Sequence, residues 1–176
     1  MKGIISVFGS SAPRPGSAAY EEARVVGRLL AEAGYAVATG GYSGVMTAAS
    51  QGAAEAGGHV IGVTCAQIEQ FRPLGPNSWV QEEIKYETLT GRLLHLVKNN
   101  DGMIVLPGGI GTLSEMALAW SFLQVGEIEP RPLALLGRLW QKTIQQFYDP
   151  AYVKEEHLKL LYLAESPETA VRHVVQ

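Results

Sequence analysis

Short apolar segments alternate with longer segments of helical periodicity along almost the whole chain. Residues 4–8 are nearly all apolar and are typical of a buried parallel strand. Helical spacing follows over residues 17–33, where Ala23, Val26 and Leu30 share one side. Because repeated strand–helix units pair their strands in parallel through right-handed crossovers, the pattern predicts a Rossmann-like α/β three-layer sandwich with a mostly parallel sheet.

The same criteria place the remaining elements. Further strands are predicted at residues 35–39, 59–63, 80–86, 102–106, 132–136 and 160–164. Further helices are predicted at residues 45–56, 88–99, 112–123, 139–147 and 166–174. The weakly patterned residues 65–79 are predicted to form an irregular loop or flap. We see no linker or internal repeat, so residues 1–176 are expected to form a single domain.

Composition argues against several classes of function. The formal net charge of −3 gives no sign of the basic face that a general nucleic-acid binder needs. The lone Cys65 cannot form an internal disulfide, so we expect a cytoplasmic protein. The apolar segment at residues 4–8 is too short for a signal peptide, and no stretch is long enough to span a membrane. We therefore expect neither nucleic acid nor membrane as a partner.

Three polar, glycine-containing loops each follow an apolar strand, and parallel strands bring such loops to one edge of the sheet. Glycines let the backbone approach an anion, and the helix that follows adds the partial positive charge of its N-terminus. The hydroxyls of Ser10, Ser11 and Thr112 add donors. For any one loop, a tight turn would explain the glycines about as well as a phosphate site does. Three such loops at one edge of the sheet favour a phosphate site. The loops contain Gly9-Ser10-Ser11, Gly40-Gly41-x-x-Gly44 and Pro107-Gly108-Gly109-x-Gly111-Thr112.

Two standard nucleotide-binding fingerprints are absent from these loops. The chain lacks Gly-x-x-x-x-Gly-Lys-Ser/Thr, which argues against a P-loop NTPase. Gly-x-Gly-x-x-Gly is missing after the first strand, which disfavours a dinucleotide site of the dehydrogenase type. The four histidines and Cys65 show no metal-ligand spacing, so we predict no metal and no cofactor.

Four segments together are similar to one known family. They read Val-Phe-Gly-Ser-Ser at residues 7–11, Gly-Gly-Tyr-Ser-Gly-Val-Met at 40–46, Gly-Gly-His-Val-Ile-Gly-Val at 57–63 and Leu-Pro-Gly-Gly-Ile-Gly-Thr-Leu-Ser-Glu at 106–115. The last segment contains the specific string Pro-Gly-Gly-x-Gly-Thr-x-x-Glu. On these motifs the chain resembles the Lonely guy (LOG) family, which is also labelled "possible lysine decarboxylase".

The resemblance implies a phosphoribohydrolase. Such an enzyme cleaves the N-glycosidic bond of N6-modified purine nucleoside 5′-monophosphates (cytokinin nucleotides) and releases free base and ribose 5-phosphate. It implies a purine nucleoside monophosphate as ligand and a homodimer with its sites near the interface. The decarboxylase label is unsupported, because no pyridoxal-binding lysine motif is visible and the six lysines lie outside the glycine loops.

Glu115 and Arg92 are the predicted catalytic residues. Glycosidic cleavage passes through an oxocarbenium-like sugar, which calls for a nearby carboxylate. Glu115 is predicted in the first turn of the helix after the Pro107 loop, where simple complementation of the helix dipole is the alternative. Arg92 matches the first residue of an Arg-Lys pair in the family and can grip phosphate or base bidentately, unless it is a solvated surface arginine. Leu93 stands where that family has the lysine.

The nucleotide itself is predicted to contact the loops. The predicted binding residues are Gly9, Ser10, Ser11, Gly40, Gly41, Gly44, Met46, Pro107, Gly108, Gly109, Gly111 and Thr112. The missing lysine favours a second hypothesis, a non-catalytic carrier of a nucleotide or of the molybdenum cofactor.

The cysteine and the tryptophans have simpler interpretations. Cys65 is expected to be a small buried residue. The three tryptophans are expected in the core or at an interface, with Trp120 and Phe122 able to face a partner subunit.

Overall fold

A computed structural model describes residues 1–175 and contains seven strands and eight helices. The strands are β1 Ile4–Phe8, β2 Ala36–Thr39, β3 Val60–Cys65, β4 Glu82–Tyr86, β5 Gly102–Val105, β6 Leu133–Leu136 and β7 Tyr162–Ala164. The helices are α1 Ala18–Glu32, α2 Val45–Glu55, α3 Ala66–Phe71, α4 Leu89–Lys98, α5 Ile110–Val125, α6 Arg138–Phe147, α7 Glu155–Leu158 and α8 Pro167–Val174.

The seven strands form one sheet in the order β4-β3-β2-β1-β5-β6-β7, and every neighbouring pair is parallel. The Rossmann-like α/β prediction is confirmed, and within the described residues the sheet is wholly parallel. From β1 the chain first builds outward to β4 and then returns to place β5 on the other side of β1. The carboxyl ends of β1 and β5 therefore flank the topological switch point, where open α/β sheets bind ligands.

The core lies on both faces of the sheet. Side chains alternate along a strand, so Val7 packs into the cluster with α1, α2 and α8, while Phe8 packs into the cluster with α4, α5 and α6. Burial on both faces explains why the central strands are nearly continuous apolar runs rather than alternating ones, with Ser6 and Thr39 as buried polar exceptions. Among residues 1–175, no helix has both the length and the apolar character needed to cross a membrane.

Three local predictions were wrong. Residues 66–71 form a short helix directly after β3, although the whole stretch 65–79 was predicted to be irregular. Its residues are mostly good helix formers, but the segment is too short to show a period. The four-residue α7 was missed because it buries no residue and so carries no apolar pattern. Finally, α5 begins at Ile110, two residues earlier than predicted, and this changes the position of Glu115 within the helix.

Candidate functional site

A cleft of about 390 Å³ opens at the carboxyl ends of β1, β2 and β5. Hydrogen bonds between the loops fix its floor. The Ser10 N–H donates to the Pro107 carbonyl at 3.1 Å, and the Val45 N–H at the start of α2 donates to the Ser10 carbonyl at 2.8 Å. The Ser43 hydroxyl donates to the Ser11 carbonyl at 3.1 Å. These hydrogen bonds connect the three predicted loops into one structure. The volume of the cleft lies in the range of small-ligand sites.

Most of the predicted site residues line this cleft. Those that line it are Gly9, Ser10, Ser11, Gly40, Met46, Arg92, Gly109, Gly111, Thr112 and Glu115. Four predicted binding residues, Gly41, Gly44, Pro107 and Gly108, lie in the same loops but outside the lining. Gly44 has a φ of +68°, a conformation that favours glycine, and a Cβ there would overlap with the backbone of Ser10. It therefore supports the loops rather than facing the cleft.

The N-terminus of α5 forms one wall of the cleft. Gly109 is the N-cap and supplies no side-chain cap, and the Leu113 N–H donates to the Gly109 carbonyl at 2.9 Å. The backbone N–H groups of residues 110–112 come before that hydrogen bond and belong to the unpaired end of the helix. A Cβ built at Gly109 or Gly111 would meet no atom within 4 Å, so the backbone is open here. This wall suits an anion.

Glu115 lies in the second turn of α5, because the helix already begins at Ile110. The prediction of a first-turn position was therefore wrong. Since the dipole effect falls off within the first turn, dipole complementation does not account for this residue. Instead, the side chain is buried at the cleft lining.

Arg92 on α4 is buried, with 7% of its surface exposed, which rules out a solvated surface arginine. Its Nε donates to the Val63 carbonyl at 2.8 Å and its Nη2 to the Gly40 carbonyl at 3.2 Å. Nη2 also lies 4.0 Å from the Met46 sulfur, and the guanidinium lies 5.6 Å from the centre of the Tyr42 ring. A Cβ at Gly40 would overlap with Nη2. Glycine at this position is therefore what allows the arginine to reach the carbonyl.

The remaining guanidinium nitrogen of Arg92 faces Glu115. The Nη1–Oε1 distance is 3.8 Å, an ion-pair distance that is too long for a hydrogen bond. Burial raises the pKa of Glu115 from 4.5 to about 7, and the Arg92 charge opposes that rise. The carboxyl group consequently changes its protonation state near neutral pH, which is typical of groups that act in catalysis.

Sequence reasoning missed eight residues of the lining, which are Val7, Phe8, Tyr42, Ser43, Ile68, Arg72, Leu74 and Ile110. The Tyr42 hydroxyl accepts a hydrogen bond from the Cys65 N–H at 2.8 Å and lies 3.2 Å from the Cys65 carbonyl, to which it donates. Burial raises the pKa of Tyr42. Tyr42 and Ser43 occupy the unspecified positions of the Gly40 loop, so their proximity to that motif was a usable signal. Arg72 and Leu74 gave none, because they follow α3 in a stretch without periodicity.

Other side chains behave as expected. Cys65 and Trp140 are buried, and the Trp140 indole donates to the Leu106 carbonyl at 3.0 Å, just below the Pro107 loop. Trp120 is buried against Phe147, with its indole donating to the His157 carbonyl. Leu93 is half-buried against the core and is not among the described residues that line the cleft.

Comparison with known proteins places the chain in a family. The model of the SLOG cluster4 family matches residues 2–171. The chain belongs to the SLOG cluster4 family. The predicted LOG-like relationship is thereby confirmed.

Two curated relatives of the SLOG chain carry an enzyme's name. Rice cytokinin riboside 5′-monophosphate phosphoribohydrolase LOG is 33% identical over 135 residues, covering 76% of this chain and 52% of the rice protein. The cytokinin riboside 5′-monophosphate phosphoribohydrolase from Mycobacterium tuberculosis is 27% identical over 161 residues, covering 86% of this chain and 83% of that enzyme. The chain spans about half the length of the curated plant relatives it matches.

A solved structure resembles the chain over nearly its full length. The molybdenum cofactor binding protein from Rippkaea orientalis superposes with a TM-score of 0.74 at 28% identity, covering 98% of this chain and 94% of that one. The same SLOG fold is therefore found under two different functional names.

Proposed function

We propose that the protein is a nucleoside 5′-monophosphate phosphoribohydrolase that releases the free base and ribose 5-phosphate from N6-modified purine nucleotides. The observation that carries the proposal is the buried Glu115 carboxyl, which lines the same cleft as the open N-terminus of α5. One wall suits a phosphate and the other supplies a group that titrates near pH 7. The curated relatives named above support this activity.

The phosphate is assigned to the start of α5. The N–H groups of residues 110–112 would donate to its oxygens, and Ser10 and Ser11 line the same cleft. Anions are favoured at such a helix end by both the free donors and the dipole. Gly40 and the loop up to Gly44 would close the site beside the ribose.

Glu115 is assigned to the ribose. In hydrolysis the bond between the ribose C1′ and the base nitrogen breaks, and a water oxygen bonds to C1′. One proton of that water must leave, and the departing base nitrogen must gain one. The ionised carboxylate can stabilise the positive charge that develops on the sugar and accept the water proton. The reaction rate should therefore rise with pH, reach half of its maximum near pH 7 and level off above that pH.

Arg92 is assigned to orientation. Because its Nε and Nη2 donate to the Val63 and Gly40 carbonyls, only Nη1 is directed at Glu115 and the ligand. It would hold the carboxylate in place and offer the nucleotide a single guanidinium nitrogen, rather than the bidentate contact to phosphate or base expected from the sequence.

The test is release of free base from AMP and from isopentenyladenosine monophosphate, followed by chromatography. Wild type should release base, and Glu115→Gln should lower kcat/KM by about 100- to 10,000-fold. Glu129→Gln is the matched control, since Glu129 is an exposed carboxylate beyond the far end of α5. Equal release by wild type and Glu115→Gln would overturn the enzymatic proposal.

A second candidate is a non-catalytic carrier of a nucleotide or of the molybdenum cofactor. It is favoured by the similarity to the Rippkaea protein over 98% of this chain, and by Leu93, which packs toward the core and brings no cation to the cleft. Calorimetry on the same nucleotides separates the two candidates. Tight binding without release of base supports the carrier, whereas turnover supports the hydrolase.

We propose a homodimer, with α5 contributing to the interface. The sixteen residues of α5 include one charged side chain, the buried Glu115, although Ile110, Leu113 and Val125 are exposed. A helix with so few charged residues and with large apolar side chains exposed is normally covered. Sedimentation velocity tests this directly, and a species of 18.9 kDa would contradict it.

A further inference from the structure

Two cationic side chains line the cleft, and they differ in how far they are already paired. Arg92 is buried, donates to two carbonyls and faces Glu115. Arg72 is exposed and, within residues 1–175, has neither an ion-pair partner nor a side-chain hydrogen bond. Its guanidinium is therefore available to a ligand, whereas most of the Arg92 guanidinium is not.

The charges of the cleft show what a second cation would add. When Glu115 is ionised, its charge offsets that of the neighbouring Arg92. A nucleoside monophosphate brings about −1.5 to −2 charges at pH 7. The start of α5 would balance part of that charge, and a further cation at the cleft would balance more of it. Among the described lining residues, Arg72 is the cation that remains.

The segment that carries Arg72 is held at both ends. At one end the Arg72 N–H donates to the Ile68 carbonyl at 2.7 Å, as the last turn of α3. At the other end Asn77 binds the Gly40 loop, with its N–H 2.8 Å and its Nδ2 3.0 Å from the Gly41 carbonyl. Nδ2 also donates to the Tyr42 carbonyl at 3.1 Å. We call residues 72–77 the strap.

The attachments of the strap matter for binding. Pro73 and Pro76 further restrict its backbone. The strap is also tied to the same loop that holds Arg92, and these attachments keep Arg72 at the cleft before a ligand binds.

We infer that Arg72 recognises the phosphate of the bound nucleotide and makes the site selective for nucleoside monophosphates over nucleosides. The inference rests on the proposed nucleotide site. It assigns Arg72 a role in specificity, with no part in bond breaking. The planar guanidinium can donate two parallel hydrogen bonds to phosphate oxygens, which an ammonium cannot reproduce. A nucleoside lacks the group that Arg72 binds, so its affinity does not depend on this residue.

The experiment compares the affinity of AMP with that of adenosine by calorimetry, for wild type, Arg72→Gln and Arg72→Lys. Arg72→Gln should weaken AMP binding about tenfold to a hundredfold, which is the usual size of a lost charge-assisted contact. Adenosine binding should stay unchanged. Arg72→Lys should recover part of the AMP affinity, because lysine keeps the positive charge but cannot donate the two parallel hydrogen bonds of a guanidinium. Arg172→Gln, an exposed arginine on α8, controls for the change in net charge.

Kinetics on AMP add a second measurement. A contact made equally in the ground state and the transition state changes KM and leaves kcat nearly constant, so Arg72→Gln should raise KM. The circular dichroism spectrum and thermal midpoint should match wild type, since the side chain is exposed.

Three results would overturn the inference. The first is unchanged AMP affinity in Arg72→Gln. The second is an equal loss for AMP and adenosine, which would mean that Arg72 supports the strap and does not read the phosphate. The third is an equal loss of AMP affinity in Arg172→Gln. Failure of the proposed hydrolysis gives a different pattern: wild type binds AMP and releases no base, while Arg72→Gln still loses affinity for AMP selectively.

Discussion

The two loops richest in glycine, after β2 and after β5, differ in where that residue is packed and where it is open. In the first loop, a Cβ at Gly40 would overlap with Arg92 and a Cβ at Gly44 with the Ser10 backbone. In the second loop, a Cβ at Gly108 would overlap with Thr112, but a Cβ at Gly109 or Gly111 would meet nothing within 4 Å. The first loop is tightly packed and fixes the position of an arginine, whereas the second leaves its backbone open at Gly109 and Gly111. Glycine content alone therefore does not distinguish a binding loop from a packing loop.

Gly40→Ala should have the largest effect on stability and tests the packed loop. The new methyl group must displace the buried Arg92 guanidinium from the Gly40 carbonyl and disturb its pairing with Glu115. We expect the free energy of unfolding to fall by about 3 kcal/mol, the upper range for overpacking a well-packed core. Urea denaturation measures the change. Gly109→Ala is the matched control and should leave stability close to wild type; equal losses in the two variants would contradict the contrast between the loops.

The second-largest expected effect on stability comes from the titration of Glu115, which links the two loops through Arg92. Its pKa is raised from 4.5 to about 7, so between these values the folded protein holds a proton that the unfolded chain has released. Stability must then fall as pH rises through this interval, by up to about 3 kcal/mol. The free energy of unfolding should be measured for wild type and Glu115→Gln from pH 4 to pH 8.

The difference between these two proteins isolates the Glu115 titration. Wild type should lose stability relative to Glu115→Gln as pH rises from about 4.5 to about 7, and the difference should then stay constant. A difference in the opposite direction would mean that attraction to Arg92 outweighs burial. Glu129→Gln, which removes an exposed carboxylate, is the control for the loss of one charge.

Gly111→Ala should have the smallest effect on stability and tests the open loop. Gly111 is the second residue of α5 and its Cβ has free space, so alanine should stabilise the helix by up to about 1 kcal/mol. The methyl group would project where the phosphate is proposed to sit, so AMP affinity should fall even as stability rises. Thermal unfolding and calorimetry give the two quantities. Unchanged AMP affinity would argue against a phosphate at the start of α5.

The sequence predicted the fold well where one local pattern determined the structure. β1 runs over the predicted residues 4–8, and β5 ends one residue before the predicted 106. Strands buried on both faces are nearly continuous apolar runs, and such a run can be recognised without knowing which strands lie beside it. Glycine-rich segments after these strands likewise marked the loops of the cleft, because parallel topology brings the ends together.

The sequence did not predict how Arg92 is held or that Arg72 belongs to the site. The Arg92 guanidinium binds the carbonyls of Val63 and Gly40, which lie 29 and 52 residues away along the chain. Arg72 reaches the cleft through a short helix and an aperiodic strap attached at Asn77. Both positions depend on contacts distant in sequence, and hydrophobic periodicity reports only on neighbours within a few turns.

The pairing of β1 with β5 has a consequence for the order in which the protein forms during synthesis. Ile5 pairs with Gly102, and the Ile4 N–H donates to the Asp101 carboxylate at 2.8 Å, 97 residues away. While the ribosome has made only the first hundred residues, β1 can pair with β2 but presents an open edge on its other side. The start of α5 and Glu115 follow that missing strand. A nascent chain must therefore extend past Glu115 before the cleft can form, and binding of the proposed nucleotide would report that β5 and α5 have docked.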